Sequence, residues 1–263
     1  MQVAQRIRSM AAPHWLSVFG LILMGWAVLY AMAIPADLRA AAGVYGADFW
    51  RALCVVTPDQ AGFWGLFAMW AVMAAAMMAP TFLPALATYD DLITAGAGTR
   101  TGFGLLMAGY LAVWLGFSLI AAGAQMLLYL GGLVSPIGQS LSVWLSGGLL
   151  VGAGVYQFSA FKDSCLTQCR QPMTFFMQYW REDRWNPVIL GLRLGALCLG
   201  CCWALMSLGF VGGVMNLAFM GLATLVMVFE KLPDLGRFVT RPLGWVLIVS
   251  GVGVMAQGAL ALI

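Results

Sequence analysis

The stretch "LGALCLGCCWALMSLGFVGGVMNL", residues 194–217, runs for 24 residues without a charged side chain. About 20 apolar residues are enough for a helix to cross a hydrocarbon core roughly 30 Å thick. The run lacks the alternation of apolar and polar residues found in membrane β-barrel strands, so it favours helix. Three of the six cysteines, Cys198, Cys201 and Cys202, lie inside it. The stretch therefore predicts membrane-embedded helix that carries thiols in an apolar interior.

The rest of the chain has the same apolar character. It is 62% hydrophobic and 9% charged, whereas a soluble domain carries about a quarter charged residues. Seven apolar runs can be drawn, and only "LGFVGG" (208–213) divides the fifth from the sixth. The predicted fold is all-α, a polytopic transmembrane helical bundle that forms a single integral membrane domain over residues 1–263. Its predicted spans are about 15–34, 62–87, 103–130, 142–161, 188–208, 212–232 and 243–262.

The basic residues orient these spans. Ten Lys and Arg lie in the segments on the side of the N-terminus, and only Arg39 and Arg51 lie in segments on the other side. Because cytoplasmic loops carry the excess of Lys and Arg, the N-terminus is predicted to be cytoplasmic. The first apolar run, of about 20 residues, is longer than a signal-peptide core of 7–15, which favours a retained anchor. The net charge of +3 is not gathered into one patch and indicates no nucleic acid partner.

The predicted spans lack the groups that several classes of membrane protein need. All acidic residues fall in loops or at span ends, whereas proton- and ion-coupled transporters usually keep ionisable side chains at depth. Glu230 and Lys231 end the sixth span and are interpreted as an interfacial anchor. The single histidine, His14, precedes the first span, so this chain alone supplies no bis-His haem site. No P-loop motif is present, which argues against primary active transport by this chain, and an enzyme is less expected than a binding protein.

The three clustered cysteines predict a site for a soft metal. Spacings of three and four residues place Cys198, Cys201 and Cys202 on one face of a helix. Thiolate sulfur suits Cu(I), Zn and iron–sulfur centres, but one helix cannot enclose a metal, so a second element must contribute. Met77 and Met73 share a helical stripe in the second span. Met77 and Cys198 are each about ten residues, or roughly 15 Å, from a cytoplasmic span end, which predicts sulfur atoms at similar depth.

A second cysteine pair follows the fourth span. Cys165 and Cys169 share a face at i, i+4 if the segment is helical, and Lys162 joins them at i−3. The predicted topology puts this pair at the cytoplasmic surface, where thiols stay reduced. The further candidates are Met78, Arg193, which is the one charge within a span, and Asn216, which needs a hydrogen-bond partner early in the sixth span.

Ligand softness favours Cu(I), because Zn would accept the thiolates but gain little from methionine. Two other interpretations stay open. Cys198 and Cys201 form a CxxC that resembles the pair of membrane thiol–quinone oxidoreductases, although the outer segments offer only Cys54 as an exchange partner. The chain would also suit an accessory subunit of a larger membrane complex. Methionine and buried cysteine are otherwise common packing residues, and three thiols within one turn are harder to explain in that way.

Several motifs occur in order between residues 64 and 232: "AMMAP" (76–80), "YQFSAFKDSCLTQCRQP" (156–172), the opening stretch and "EKL" (230–232). Together they resemble a bacterial family of unknown function described as predicted metal-binding integral membrane proteins. The resemblance implies a metal-binding, multi-pass protein of the bacterial inner membrane. Handling of the metal could mean storage, export or delivery, with a metallochaperone or a membrane metalloenzyme as exchange partner. The residues to which it points are Lys162, Cys165, Cys169, Cys198, Cys201, Cys202, Met77 and Met78.

Overall fold

A computed structural model describes residues 13–33, 58–233 and 236–260. Within these ranges the chain is mostly helical and contains no strand, apart from one isolated bridge between Val134 and Ser140. The all-α prediction is confirmed. In chain order the helices are α1 (Pro13–Ala33), α2 (Pro58–Thr94), α3 (Arg100–Leu130), α4 (Val143–Tyr156), α5 (Ala160–Arg170), α6 (Pro172–Tyr179), α7 (Asn186–Ser207), α8 (Gly209–Gly212), α9 (Leu217–Lys231) and α10 (Gly236–Leu260).

Among the described residues, five apolar stretches are long enough to cross a membrane. They coincide with the first, second, third, fifth and seventh predicted spans. The fourth and sixth predicted spans are shorter helices, α4 with 14 residues and α9 with 15. At 1.5 Å per residue these reach only about 21–22 Å, less than a hydrocarbon core of about 30 Å. The five stretches are Pro13–Ala33, Gly62–Thr94, Arg100–Leu130, Asn186–Gly212 and Phe238–Leu260.

The local sequence explains why these two helices are short. Gly213 has a φ of +89°, a left-handed conformation that favours glycine. The helical conformation is interrupted there, and α9 begins only at Leu217. Asn216 then caps α9 by accepting a hydrogen bond from the backbone N–H of Phe219. At the other break, α4 ends in a turn, and Ser159 caps α5 by accepting from the backbone N–H of Lys162. Polar capping residues therefore end or begin helices within stretches that the sequence predicts as single apolar spans.

The packing of α2, α3 and α7 fixes the relative direction of the helices around the cysteines. Helix α3 runs parallel to α7, since later residues of one helix meet later residues of the other. A Cβ at Gly191 would overlap the carbonyl oxygen of Leu106, and one at Gly195 would lie 3.0 Å from that of Tyr110. Helix α2 runs antiparallel to α3. The Phe82 ring stacks on Tyr110 with centroids 3.9 Å apart. A side-chain hydrogen bond then joins an earlier residue of α2 to a later residue of α3. Helix α2 is therefore antiparallel to α7.

The remaining helices surround this trio. Helix α1 packs along α2, with Gly25 against Ala76. Helix α4 packs antiparallel to α10, where a Cβ at Gly154 would lie 2.8 Å from the carbonyl oxygen of Gly244. The short helix α5 lies against both α7 and α9. This contact brings the two cysteine-bearing segments of the sequence together.

Candidate metal centre

Three buried thiols form the centre of the site. The Sγ atoms of Cys198, Cys201 and Cys202 all lie within 4.8 Å of one another, and those of Cys201 and Cys202 are 3.3 Å apart. Each cysteine is about 1% exposed, and all three are free thiols. They share one face of α7, as their spacing predicts. The cluster is thus a compact set of soft donors inside the protein.

Cys198 is also the centre of a polar network built from four helices. Lys231 at the end of α9 donates a hydrogen bond from Nζ to the Cys198 Sγ over 2.9 Å. The hydroxyl of Tyr110 on α3 lies 3.0 Å from the same sulfur, and Thr81 Oγ1 on α2 lies 3.8 Å from it. A buried polar group costs free energy unless it finds partners. The Cys198 thiol has such polar partners on three neighbouring helices.

The partners of Cys198 hold one another in place. Lys231 Nζ donates to Thr81 Oγ1 over 2.8 Å, and Thr81 Oγ1 donates to the carbonyl oxygen of Met78 over 2.8 Å. The Tyr110 hydroxyl donates to the same carbonyl oxygen over 3.1 Å. Met78 therefore contributes a main-chain acceptor to this network. Closed networks of this kind specify one arrangement of a buried site.

Helix α5 brings two further thiols to the cluster. A Cβ on Gly200 would lie 2.8 Å from the Sγ of Cys165, so the glycine lets α5 approach α7 closely. One turn later, the thiol of Cys169 interacts with that of Cys201. Cys165 is buried and Cys169 is partly exposed. Burial raises the pKa of the Cys165 thiol.

A buried ion pair holds α5 in this position. Lys162 Nζ lies 2.8 Å from Glu230 Oε2, and both side chains are about 1% exposed. Arg170, at the other end of α5, donates from Nε to the carbonyl oxygen of Glu230 over 2.8 Å. Buried charges in proteins are normally paired in this way. Lys162, a candidate from the sequence, thus orients the helix that carries Cys165 and Cys169.

The interpretation of Glu230 and Lys231 as an interfacial anchor is wrong. Both side chains are buried, Lys231 at 5% exposed, and Lys231 reaches Cys198. The physical reason is that α5 and α2 pack around the last turn of α9, so that Glu230 pairs with Lys162 and Lys231 reaches Thr81 inside the protein. Counting residues along one span placed that turn at the membrane surface, because these partners lie on other helices.

The candidate methionines lie in the protein core on α2. Met73 and Met77 are each about 3% exposed, and Met78 is fully buried. Met77 precedes Thr81 by four residues, so it lies on the same face of α2 and one turn away. Because α2 and α7 are antiparallel, that turn puts Met77 at the level of Cys202. Met73 lies one further turn along the same face.

Two other candidates lie away from the cluster. The side chain of Arg193 is exposed, and its guanidinium stacks over the ring of Tyr179 at 4.5 Å from the centroid. Such a cation–π contact accommodates a charge at the edge of an apolar helix. Asn216 caps α9 through its side-chain oxygen. In the described structure both residues serve helix packing and helix capping at some distance from the thiols.

Sequence reasoning missed four residues of the network: Thr81, Tyr110, Glu230 and Lys231. Each is a polar side chain next to or inside an apolar run. The "EKL" motif already contained two of them, and Thr81 follows the proline that ends "AMMAP". Polar residues within the spans were the available signal. Their mutual contacts join positions between 29 and 150 residues apart, which no local pattern predicts.

Comparisons with known proteins agree with a metal-related role. The search of curated proteins finds no match, and no solved structure matches either. The sequence profile of the PpoB2 family, described as copper chaperone, matches residues 67–254. The matched region includes every residue of the thiol cluster, of the Cys198 network and of the ion pair. The match covers well over half of the chain, which therefore belongs to the PpoB2 copper chaperone family.

Proposed function

We propose that this protein is a membrane-embedded chaperone that binds Cu(I) through Cys198, Cys201 and Cys202. The observation that carries the proposal is the cluster of three buried thiols within 4.8 Å, in a chain of a copper chaperone family. Thiolate and thioether ligands suit Cu(I). No carboxylate or imidazole lies among the thiols in the described ranges. Zn(II) is the competing ion, and it would use the thiolates alone.

Sulfur donors on two neighbouring helices flank the cluster. Met77 on α2 supplies a thioether at the level of Cys202 and completes the ligand set, and Met73 continues the same stripe. On α5, Cys169 lies beside Cys201 and Cys165 lies one turn away, both outside the set that holds the ion at equilibrium. Three sulfur atoms on one helix face need a donor from the facing side, and α2 provides it.

The proposed setting is the bacterial inner membrane, with a cytoplasmic N-terminus and seven crossings in which α4 and α9 are short spans. Helix directions support this topology. The topology requires α1, α2 and α3 to alternate in direction. It also requires α3 and α7 to be parallel and α4 and α10 to be antiparallel. The described helix packing agrees with these directions. The copper would be exchanged with a cytoplasmic metallochaperone and with a membrane metalloenzyme.

A competition titration tests the proposal. Detergent-purified protein is titrated against a chromogenic Cu(I) chelator, beside a variant in which Cys198, Cys201 and Cys202 are all replaced by Ser. We expect the triple variant to bind Cu(I) at least about a hundredfold more weakly, equivalent to about 2.7 kcal/mol. Cys54→Ser, which removes one thiol outside the matching motifs, should bind like the wild type. Equal affinity of the wild type and the triple variant would overturn the proposal.

A further inference from the structure

The five described thiols differ in their access to solvent. Cys165, Cys198, Cys201 and Cys202 are buried, and Cys169 is the one thiol of this group with a partly exposed side chain. It lies on α5, in the connection between α4 and α7 that the topology places on the cytoplasmic side. A copper ion that enters from the cytoplasm therefore meets Cys169 before it meets the cluster on α7.

The contact between α5 and α7 is built for close approach. Gly200 has no side chain, and a Cβ there would lie 2.8 Å from Cys165 Sγ and 3.3 Å from the ring of Phe161. The Tyr156 hydroxyl donates to the carbonyl oxygen of Gly200 and anchors the same turn of α7. Cys169 lies one turn beyond Cys165 on the same face of α5. The residue after Gly200 is Cys201, and its thiol interacts with that of Cys169.

The position of α5 is fixed at both of its ends. Near its start, Lys162 pairs with Glu230, and at its end Arg170 donates to the Glu230 carbonyl oxygen. Both interactions tie α5 to the last turn of α9, whose Lys231 reaches Cys198. The partly exposed thiol and the buried cluster therefore lie on elements that these interactions connect.

We propose that Cys169 receives Cu(I) from a thiolate donor on the cytoplasmic side and passes it to Cys201. This inference rests on the proposed function and assigns the route by which the same site is loaded. Cys169 is a transfer residue, whereas Cys198, Cys201 and Cys202 hold the ion at equilibrium.

The transfer is a ligand exchange in two balanced steps. The Cys169 thiolate forms a Cu–S bond as the donor's Cu–S bond breaks, and the donor leaves as a thiolate. The Cys201 thiolate then forms a Cu–S bond as the bond to Cys169 breaks. Each thiol releases its proton to solvent or to the departing thiolate, copper stays Cu(I), and no electron is transferred.

The test separates the rate of loading from the affinity at equilibrium. Inverted membrane vesicles, with the cytoplasmic face turned outward, are mixed with radiolabelled Cu(I) bound to glutathione, and bound copper is followed in time. We expect Cys169→Ser to slow loading by about tenfold or more, because a pre-positioned nucleophile is lost. Its affinity for Cu(I) in detergent should stay within about twofold of the wild type. Cys54→Ser provides the matched control with an unchanged rate.

A second variant leaves every thiol in place. Gly200→Ala inserts a methyl group against Cys165 and should push α5 away from α7, so it should also slow loading while all cluster ligands remain. Unchanged loading rates in both Cys169→Ser and Gly200→Ala would overturn the transfer route. A large loss of equilibrium affinity in Cys169→Ser would overturn it as well, since Cys169 would then be a permanent ligand. Wild-type protein that binds no Cu(I) would instead overturn the proposed function.

Discussion

Cys198 is the residue at which the polar network and the thiol cluster meet. Its sulfur accepts a hydrogen bond from Lys231 and lies beside the Tyr110 hydroxyl, while its helix face also presents Cys201 and Cys202. An ammonium group beside a thiol favours its thiolate form electrostatically. A buried metal site gains from such an arrangement, because the ligand is kept in the form that binds copper without contact with water.

Met77 gives a prediction at the scale of one residue. Met77→Leu conserves volume, so the fold should be kept, but the thioether one turn from Thr81 is lost. We expect Cu(I) binding to weaken about tenfold, or about 1.4 kcal/mol. Met69→Leu is the matched control, since Met69 is also buried on α2 but lies about 18 Å along the helix from Thr81. The chelator titration measures both variants, and equal losses in the two would contradict a role for Met77.

The sequence was sufficient for the local part of this site. The i, i+3, i+4 spacing of the three cysteines predicts one helix face, and the structure has that face. The placement of Lys231 was not predictable in the same way. Its burial depends on α5 and α2 packing around the last turn of α9, through contacts between positions 68 and 150 residues apart. Hydrophobic periodicity does not record such contacts, so the residue was assigned to the membrane surface.

At the scale of secondary-structure elements, the buried pair of Lys162 and Glu230 docks α5 onto α9. Breaking a buried pair by removing one partner leaves an uncompensated charge and costs about 3–5 kcal/mol. We expect Lys162→Met to lower the free energy of unfolding by that amount. The double variant Lys162→Met/Glu230→Met should recover most of the loss, because both charges are then absent. Unfolding in detergent, followed by circular dichroism, measures both, and a double variant as unstable as the single one would contradict the pairing.

The approach of α3 to α7 gives a second prediction at this scale. Gly191→Ala would insert a methyl group against the Leu106 carbonyl oxygen, and overpacking of this kind costs about 1–3 kcal/mol. Gly104 lies on α3, and no neighbouring atom lies within 4 Å of the place that a methyl group would take there, so Gly104→Ala should stabilise the helix by about 0.5–1 kcal/mol. The same unfolding measurement compares the two. A neutral Gly191→Ala would show that the two helices are less tightly packed than described.

The elements themselves were partly predictable. The apolar runs locate five helices of membrane length, and their composition alone predicts helix. The lengths of α4 and α9 were overestimated, because the capping residues at the breaks, Ser159 at the start of α5 and Asn216 at the start of α9, lie in sequence that is otherwise apolar. The antiparallel and parallel pairings depend on which glycines meet which carbonyl oxygens. That information is tertiary and is absent from any one segment.

At the scale of the whole molecule, the proposed topology predicts that the loop before α4 and the loop before α7 lie on opposite sides of the membrane. Gln139 precedes α4 and Asp183 precedes α7, and both side chains are exposed. In a Cys54→Ser background, we expect Gln139→Cys to react with an impermeant thiol reagent added outside cells. Asp183→Cys should react only in inverted vesicles, since the proposed topology places the basic segments in the cytoplasm. Reaction of both from the same side would contradict a crossing by α4.

The central claim is that Cu(I) is held by sulfur from the α7 cluster, and X-ray absorption at the copper edge tests it most directly. Copper-loaded wild-type protein should show Cu(I) surrounded by sulfur neighbours only. The Cys198/Cys201/Cys202→Ser variant, loaded in the same way, should lose this sulfur shell or retain no copper. A nitrogen or oxygen shell in the wild type, or an unchanged sulfur shell in the triple variant, would contradict the account.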